Sequence, residues 1–155
     1  MEQPLRDNPI HSSQHGFSSG KSTETAISTV ADRIERFVLK RKACLGVFLD
    51  IKGAFDSILP EHIHASLIKF GADRKMADWY HSYLVHRNLY FENSGVEISC
   101  TINIGFPQGG VASAKFWLIA FDEAVHIINS CSIDGTAFAD DCAALYGSLD
   151  TCCEY

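Results

Sequence analysis

The chain holds 155 residues, 46% of them hydrophobic and 21% charged, enough for one globular domain with its own core. No apolar run approaches the ~18 residues of a membrane span, and the polar opening lacks the apolar block of a signal peptide, so no membrane partner and an intracellular location, cytoplasm or nucleus, are expected. The net charge of −6 argues against a surface that grips nucleic acid uniformly.

Residues 1–20 are polar and carry Pro4, Pro9 and a Ser/Gly cluster, the composition of a loop or extended entry. From Ser22 to Lys42 the apolar positions Ile27, Val30, Ala31, Ile34, Phe37 and Val38 recur at three- and four-residue steps, which predicts a helix. Glu24 in its first turn and Lys40, Arg41 and Lys42 in its last suit the helix dipole. Residues 44–51 (CLGVFLDI) are short, apolar and bounded by charge, and are expected to form a buried strand. Pro60 and Gly71 bracket a helix containing Ile63, Leu67 and Ile68. A second helix is expected over 73–85, with Met76, Trp79, Tyr80 and Tyr83 on its apolar face.

Residues 88–93 and 96–104 flank the turn dipeptide Ser94-Gly95 and read as a hairpin. Residues 105–110 (GFPQGG) form a loop and 111–129 a long apolar helix. Residues 136–139 and 142–146 flank Asp140-Asp141, which predicts a second hairpin with both acids at its tip. The order strand, helices, two strands, helix, strand predicts an α+β fold of the split β-α-β, ferredoxin-like kind, with helices packed on an antiparallel sheet.

All thirteen Lys and Arg lie at or before Lys115, whereas residues 116–155 hold seven acids and no base. Gathered carboxylates are costly without a cation among them, which favours a bound metal over a merely acidic tail. The six cysteines show no Cys-x-x-Cys spacing and the histidines form no His-x-x-x-His pair with a third ligand nearby, so a disulfide framework or zinc site is not expected; Cys44 and Cys142 sit in apolar runs as small hydrophobes. His15–Ser22 (HGFSSGKS) looks like a phosphate-binding loop, but only three residues separate Gly16 from Gly20 and no strand precedes them, which excludes that class of nucleoside triphosphatase.

Three elements carry the chemistry, in fixed order. Residues 48–56 (FLDIKGAFD) put Asp50 at the mouth of an apolar strand, where an acid must be paired, hydrated or metal-bound. The glycines of 105–110 let backbone approach a ligand, and Asp140-Asp141 in 138–141 (FADD) repel one another unless a divalent cation offsets them. Together these motifs resemble the palm of reverse transcriptases, particularly those of non-LTR, LINE-type retrotransposons of the Jockey-like kind. Upstream, Gln14-His15-Gly16-Phe17 with Gly20-Lys21-Ser22-Thr23 resembles the QxGF…ST segment that precedes the palm there. The resemblance covers residues 14–146.

The resemblance implies a right-hand polymerase fold, with 1–43 a partial fingers segment and 44–155 a partial palm ending before a thumb. It implies an RNA-directed DNA polymerase that transfers a nucleotide from a dNTP to a primer 3′-hydroxyl, with RNA template, DNA primer and two Mg²⁺ ions, for which Mn²⁺ substitutes. Asp50, Asp140 and Asp141 are the implied metal ligands, with Asp141 in a supporting role. Phe55 is the implied wall under the incoming sugar, with a core phenylalanine as the alternative; Ala54 offers backbone to the triphosphate. Gln108 lies against the nucleotide, Gly109 admits the template, and Lys21 reaches phosphate or is simply solvated. Asp56 fits the pattern, with local capping the favoured role.

The chain departs from the family at Ser18, where Arg is usual, and at Ala114 and Lys115, which replace Pro and an apolar residue. The basic clamps on nucleic acid are expected in fingers and thumb segments outside these residues, so the isolated chain is expected to be inactive. An intron-encoded or retron-type enzyme and a non-catalytic remnant are the rival readings.

Overall fold

The computed structural model describes residues 7–110, 112–131 and 133–147. Its elements in chain order are α1 (Thr23–Leu39), β1 (Cys44–Leu49), α2 (Ala54–Ser57), α3 (Pro60–Lys69), α4 (Arg74–Leu84), β2 (Arg87–Asn93), β3 (Val96–Ile102), α5 (Ser113–Ser130), β4 (Asp134–Phe138) and β5 (Asp141–Gly147). They form two compact units, each built from separated stretches: Met1–Pro9 with Gly53–Ala120, and Ile10–Lys52 with Phe121–Tyr155. Helix α5 contributes to both units, with the change at Ala120.

In the first unit, Pro60 opens α3 at a position where a missing N–H costs nothing, and Gly71 follows its end at φ +81°. Asp73 caps α4 by accepting from the backbone N–H of Lys75 (2.9 Å) and Met76 (3.4 Å). Ile63, Leu67, Phe70, Ala77, Leu84, Phe106 and Phe116 are buried. The α4 face differs from expectation: Ala77 and Leu84 are the buried residues, while Trp79 (61% exposed) and Tyr83 stack on each other 5.9 Å apart at the surface. Aromatic content alone did not report burial there. Strands β2 and β3 pair as an exposed two-stranded hairpin around Ser94-Gly95, both at positive φ, the primed turn that suits strand twist.

In the second unit the sheet order is β1-β5-β4, antiparallel throughout. Helix α1 lies against all three strands. Ser22 caps it through a reciprocal box with Thr25. Its Phe37 packs on Gly147, where an added Cβ would sit 2.1 Å from the ring. Val125, Ala137 and Cys142 form a core with Phe121 and Ile128 around them, and Cys142 is buried as expected. Strand β1, expected buried, is instead an exposed edge: Leu45 is 64% and Phe48 71% exposed. An apolar strand shows burial only where a partner covers it, and here Ile27, Val30, Phe48 and Leu49 frame an open groove of about 430 Å³.

The second hairpin forms with shifted bounds. Its turn is Ala139-Asp140, and Asp141 is already in β5, paired with Phe138. Only one acid therefore sits at the tip. Helix α5 begins at Ser113, and the expected start at Val111 lies outside the described residues.

Candidate active site

Asp50 and Asp141 flank the last pair of the β1–β5 ladder. Leu49 pairs with Cys142, so continuing the antiparallel ladder by one step sets Asp50 opposite Asp141. Asp140 occupies the adjacent turn. Asp50 and Asp141 are exposed and Asp140 is half-buried. Among the described residues, no three His, Cys, Asp or Glu side chains are gathered into a ready metal cluster. The donor set still fits Mg²⁺, a hard cation that takes one or two carboxylates and completes its shell with water and substrate phosphate.

The turn beneath these acids is strained. Ala139 has φ +56°, a left-handed conformation that a Cβ disfavours. Gln14, 1% exposed, holds it from both sides. Its Nε2 donates to the Ala139 carbonyl (3.2 Å), and its Oε1 accepts from the N–H of Ala139 (3.1 Å) and of Gly16 (2.8 Å). Gly16 abuts the same turn, where a Cβ would fall 2.1 Å from the Ala139 nitrogen.

The segment carrying Gln14 runs beside β4 as a short parallel strap. His15 N–H donates to the Ala137 carbonyl (2.7 Å) and Ala137 N–H to the Ser13 carbonyl (2.9 Å). His11 N–H donates to the buried Asp122 carboxylate (2.6 Å), and Arg33 donates to the Gly135 carbonyl (2.9 Å). The Lys21 ammonium, a candidate phosphate contact, is directed inward to the carbonyls of Ser12 and Gln14, the latter at 2.8 Å. Burial lowers its pKa, and burial likewise lowers those of His11 and His15.

In the first unit, Gly53 at φ +64° starts α2, which carries Ala54, Phe55 and Asp56. The 105–110 loop docks on it through backbone: Phe106 N–H donates to the Phe55 carbonyl (2.9 Å) and Gly105 N–H to that of Ile58 (2.8 Å). Gly105, at φ +71°, has no room for a Cβ, which would lie 2.7 Å from the Phe55 oxygen. The Phe55 ring meets Phe106 edge-on (5.0 Å) and stacks with Trp117 (5.8 Å), yet stays partly exposed. Ala54 is buried. Gln108 and Gly109 are exposed; Gln108 donates to both Asp56 oxygens (3.2 and 3.3 Å), and Gly109 has φ +83°. Ser113 Oγ donates to the Pro107 carbonyl (2.6 Å), bracing the loop.

Sequence reasoning gave no role to Gln14, Gly16 or Arg33. The QxGF pattern drew attention to the first two, but their partner Ala139 lies 125 positions from Gln14.

A protein-family model described as "Reverse transcriptase (RNA-dependent DNA polymerase)" matches residues 1–153. The chain is 28% identical over 153 residues to a retrovirus-related Pol polyprotein from the type-1 retrotransposable element R1 of Bradysia coprophila, covering 96% of this chain and 14% of that protein. It is 28% identical over 129 residues to a putative 115 kDa protein in the type-1 retrotransposable element R1DM of Drosophila melanogaster, covering 83% of this chain and 12% of that protein. The chain thus spans about an eighth of the length of these relatives. Among solved structures, an apo telomerase from Candida tropicalis truncated from its C-terminal domain superposes with a TM-score of 0.70 at 14% identity, over 97% of this chain and 32% of that one. The telomerase of that organism in complex with a fragment of telomeric RNA gives 0.69 at 16% identity, over 97% and 27%. These structures share the fold. No helix among the described residues is long and apolar enough to cross a membrane.

Proposed function

The chain belongs to the reverse transcriptase family, and on that premise we propose that it carries the metal-binding acids and nucleotide-binding loop of an RNA-directed DNA polymerase of a non-LTR retrotransposon. What supports the reading is the β1–β5 register, which carried one step further sets Asp50 against Asp141 beside Asp140. Asp50, Asp140 and Asp141 would hold the Mg²⁺ ions. When bound, such a pair supplies charge stabilisation to the attacking and leaving oxygens of an in-line phosphoryl displacement.

The chain's own residues orient the substrates. Phe55, wedged between Phe106 and Trp117, is rigid enough to bar a 2′-hydroxyl by sterics. Gln108, steadied by Asp56, lies against the incoming nucleotide, and Gly109 leaves backbone open to an RNA template. Ala54 offers its backbone to the triphosphate. Lys21, directed inward, serves the strap.

The test is titration of the 155-residue chain with Mn²⁺, read by paramagnetic broadening. Resonances of Asp50, Asp140, Asp141 and their neighbours should broaden first, and Asp140→Asn should weaken the effect. Broadening centred elsewhere, or unaffected by that substitution, overturns the assignment.

A further inference from the structure

We infer that Gln14 is a positioning residue for the Asp140 and Asp141 carboxylates, acting through the backbone of Ala139; this rests on the metal-binding reading above. Asp140 and Asp141 directly follow Ala139, which is held in a region that L-residues avoid. An alanine there does not stay by local preference. Something must over-determine it, and the Gln14 side chain bonds both its N–H and its carbonyl.

The two hydrogen bonds act on opposite sides of the Ala139 Cα, so together they fix both of its dihedrals. Those dihedrals set the direction in which the chain leaves toward Asp140. Gln14 is itself fixed: it is buried, its backbone bridges β4 at Ala137, its carbonyl takes the Lys21 ammonium, and its Oε1 is shared with Gly16 N–H. Gly16 completes the arrangement by letting the strap reach the turn without a Cβ.

The chemistry demands an amide of this length. Glutamate offers no donor to the Ala139 carbonyl. Asparagine is one methylene short. Methionine fills a similar volume but makes neither bond, so Gln14→Met separates packing from clamping. Ala139→Gly tests the same idea from the other side, because glycine adopts the left-handed conformation without help.

Three variants of the 155-residue chain, Gln14→Met, Ala139→Gly and the double substitution, are compared in two measurements. One is Mn²⁺ affinity; the other is amide hydrogen exchange at Ala139, with Val47 and Ala144 in the β1–β5 ladder as controls for the fold. Gln14→Met should weaken Mn²⁺ binding about tenfold, as expected for loss of one to two net hydrogen bonds, and speed exchange at Ala139. With Ala139→Gly present, the same substitution should cost about twofold or less. An equal loss in both backgrounds, or unchanged exchange at Ala139, overturns the inference. If the unsubstituted chain binds no Mn²⁺ at these acids, the metal reading fails, and exchange at Ala139 decides separately whether Gln14 clamps the turn. Should Gln14→Met not fold, Gln14→Glu, which replaces the donor with an acceptor facing the Ala139 carbonyl, is judged by the same readouts.

Discussion

Gln108 gives its side-chain amide to the carboxylate of Asp56, 52 positions earlier, at 3.2 and 3.3 Å from the two oxygens. The 105–110 loop is thereby tied to the helix that carries Phe55.

In an active polypeptide carrying this chain, Asp56→Ala should raise KM for dNTP several-fold and leave the fold intact. Both partners are exposed, so the pair adds at most ~1 kcal/mol to stability. Asp56→Asn keeps an acceptor oxygen and should recover most of the loss. Steady-state kinetics on both variants checks this; an unchanged KM in Asp56→Ala would mean that Gln108 needs no such support.

Gly105→Ala should be among the most damaging small substitutions in the first unit. A methyl group there meets the Phe55 and Asp56 backbone at 2.7–2.8 Å, and the residue keeps φ +71°. Backbone strain alone costs ~1–2 kcal/mol, and the clash adds to it. Gly95→Ala, at φ +81° with nothing within 4 Å, bears only the strain. Urea unfolding of the two variants should rank them in that order.

Phe55→Val should both relax sugar discrimination and loosen the unit. Removing the ring deprives Phe106 and Trp117 of contact, costing ~1–3 kcal/mol for a partly exposed site. Phe55→Tyr should keep deoxynucleotide preference. The measurement is incorporation of matched ribo- and deoxynucleotides by an active polypeptide carrying each variant. If Phe55→Val loses both equally, Phe55 is a packing residue alone.

Burial lowers the pKa of His15, with help from Lys21 and Arg33, and burial lowers that of His11 despite the opposing Asp122 carboxylate, with His126, Lys21 and Arg33 adding to the burial effect. Both therefore bind protons more readily in the unfolded chain. The stability they contribute is complete above the ordinary value of 6.5 and is lost as pH falls below it toward their folded values. The strap should loosen first, so exchange at the His15 and Ala137 amides, corrected for intrinsic rate, should accelerate on acidification. Protection that holds constant from pH 7 to about 5 would contradict this.

Local patterns carried much of this architecture. Pro60, Gly71 and Ser94-Gly95 act within a few residues, and the elements they bracket form close to the expected bounds, whereas α1 ends at Leu39, before the basic run expected in its last turn. The three acids proposed as metal ligands stand out in the sequence because their motifs are short and ordered. What stayed hidden depends on distant partners. No periodicity connects Gln14 to Ala139, and Lys21 turns inward because carbonyls brought near by the strap accept its hydrogen bonds. The exposure of β1 escaped notice for a related reason: apolar composition measures a demand for cover without naming the segment that meets it.

The β1–β5 pairing also sets a schedule. Leu49 must wait for Cys142, 93 positions later, and Cys44 for Gly147, 103 later. At a ribosomal pace of ~5–20 residues per second, the first strand is made roughly 5–20 s before its partner exists. Throughout that interval Leu45, Val47, Phe48 and Leu49 offer an unpaired apolar ribbon to anything nearby. Contacts this distant in sequence are also slow to close once both strands are present. The chain is therefore most open to aggregation in the interval before β5 is made.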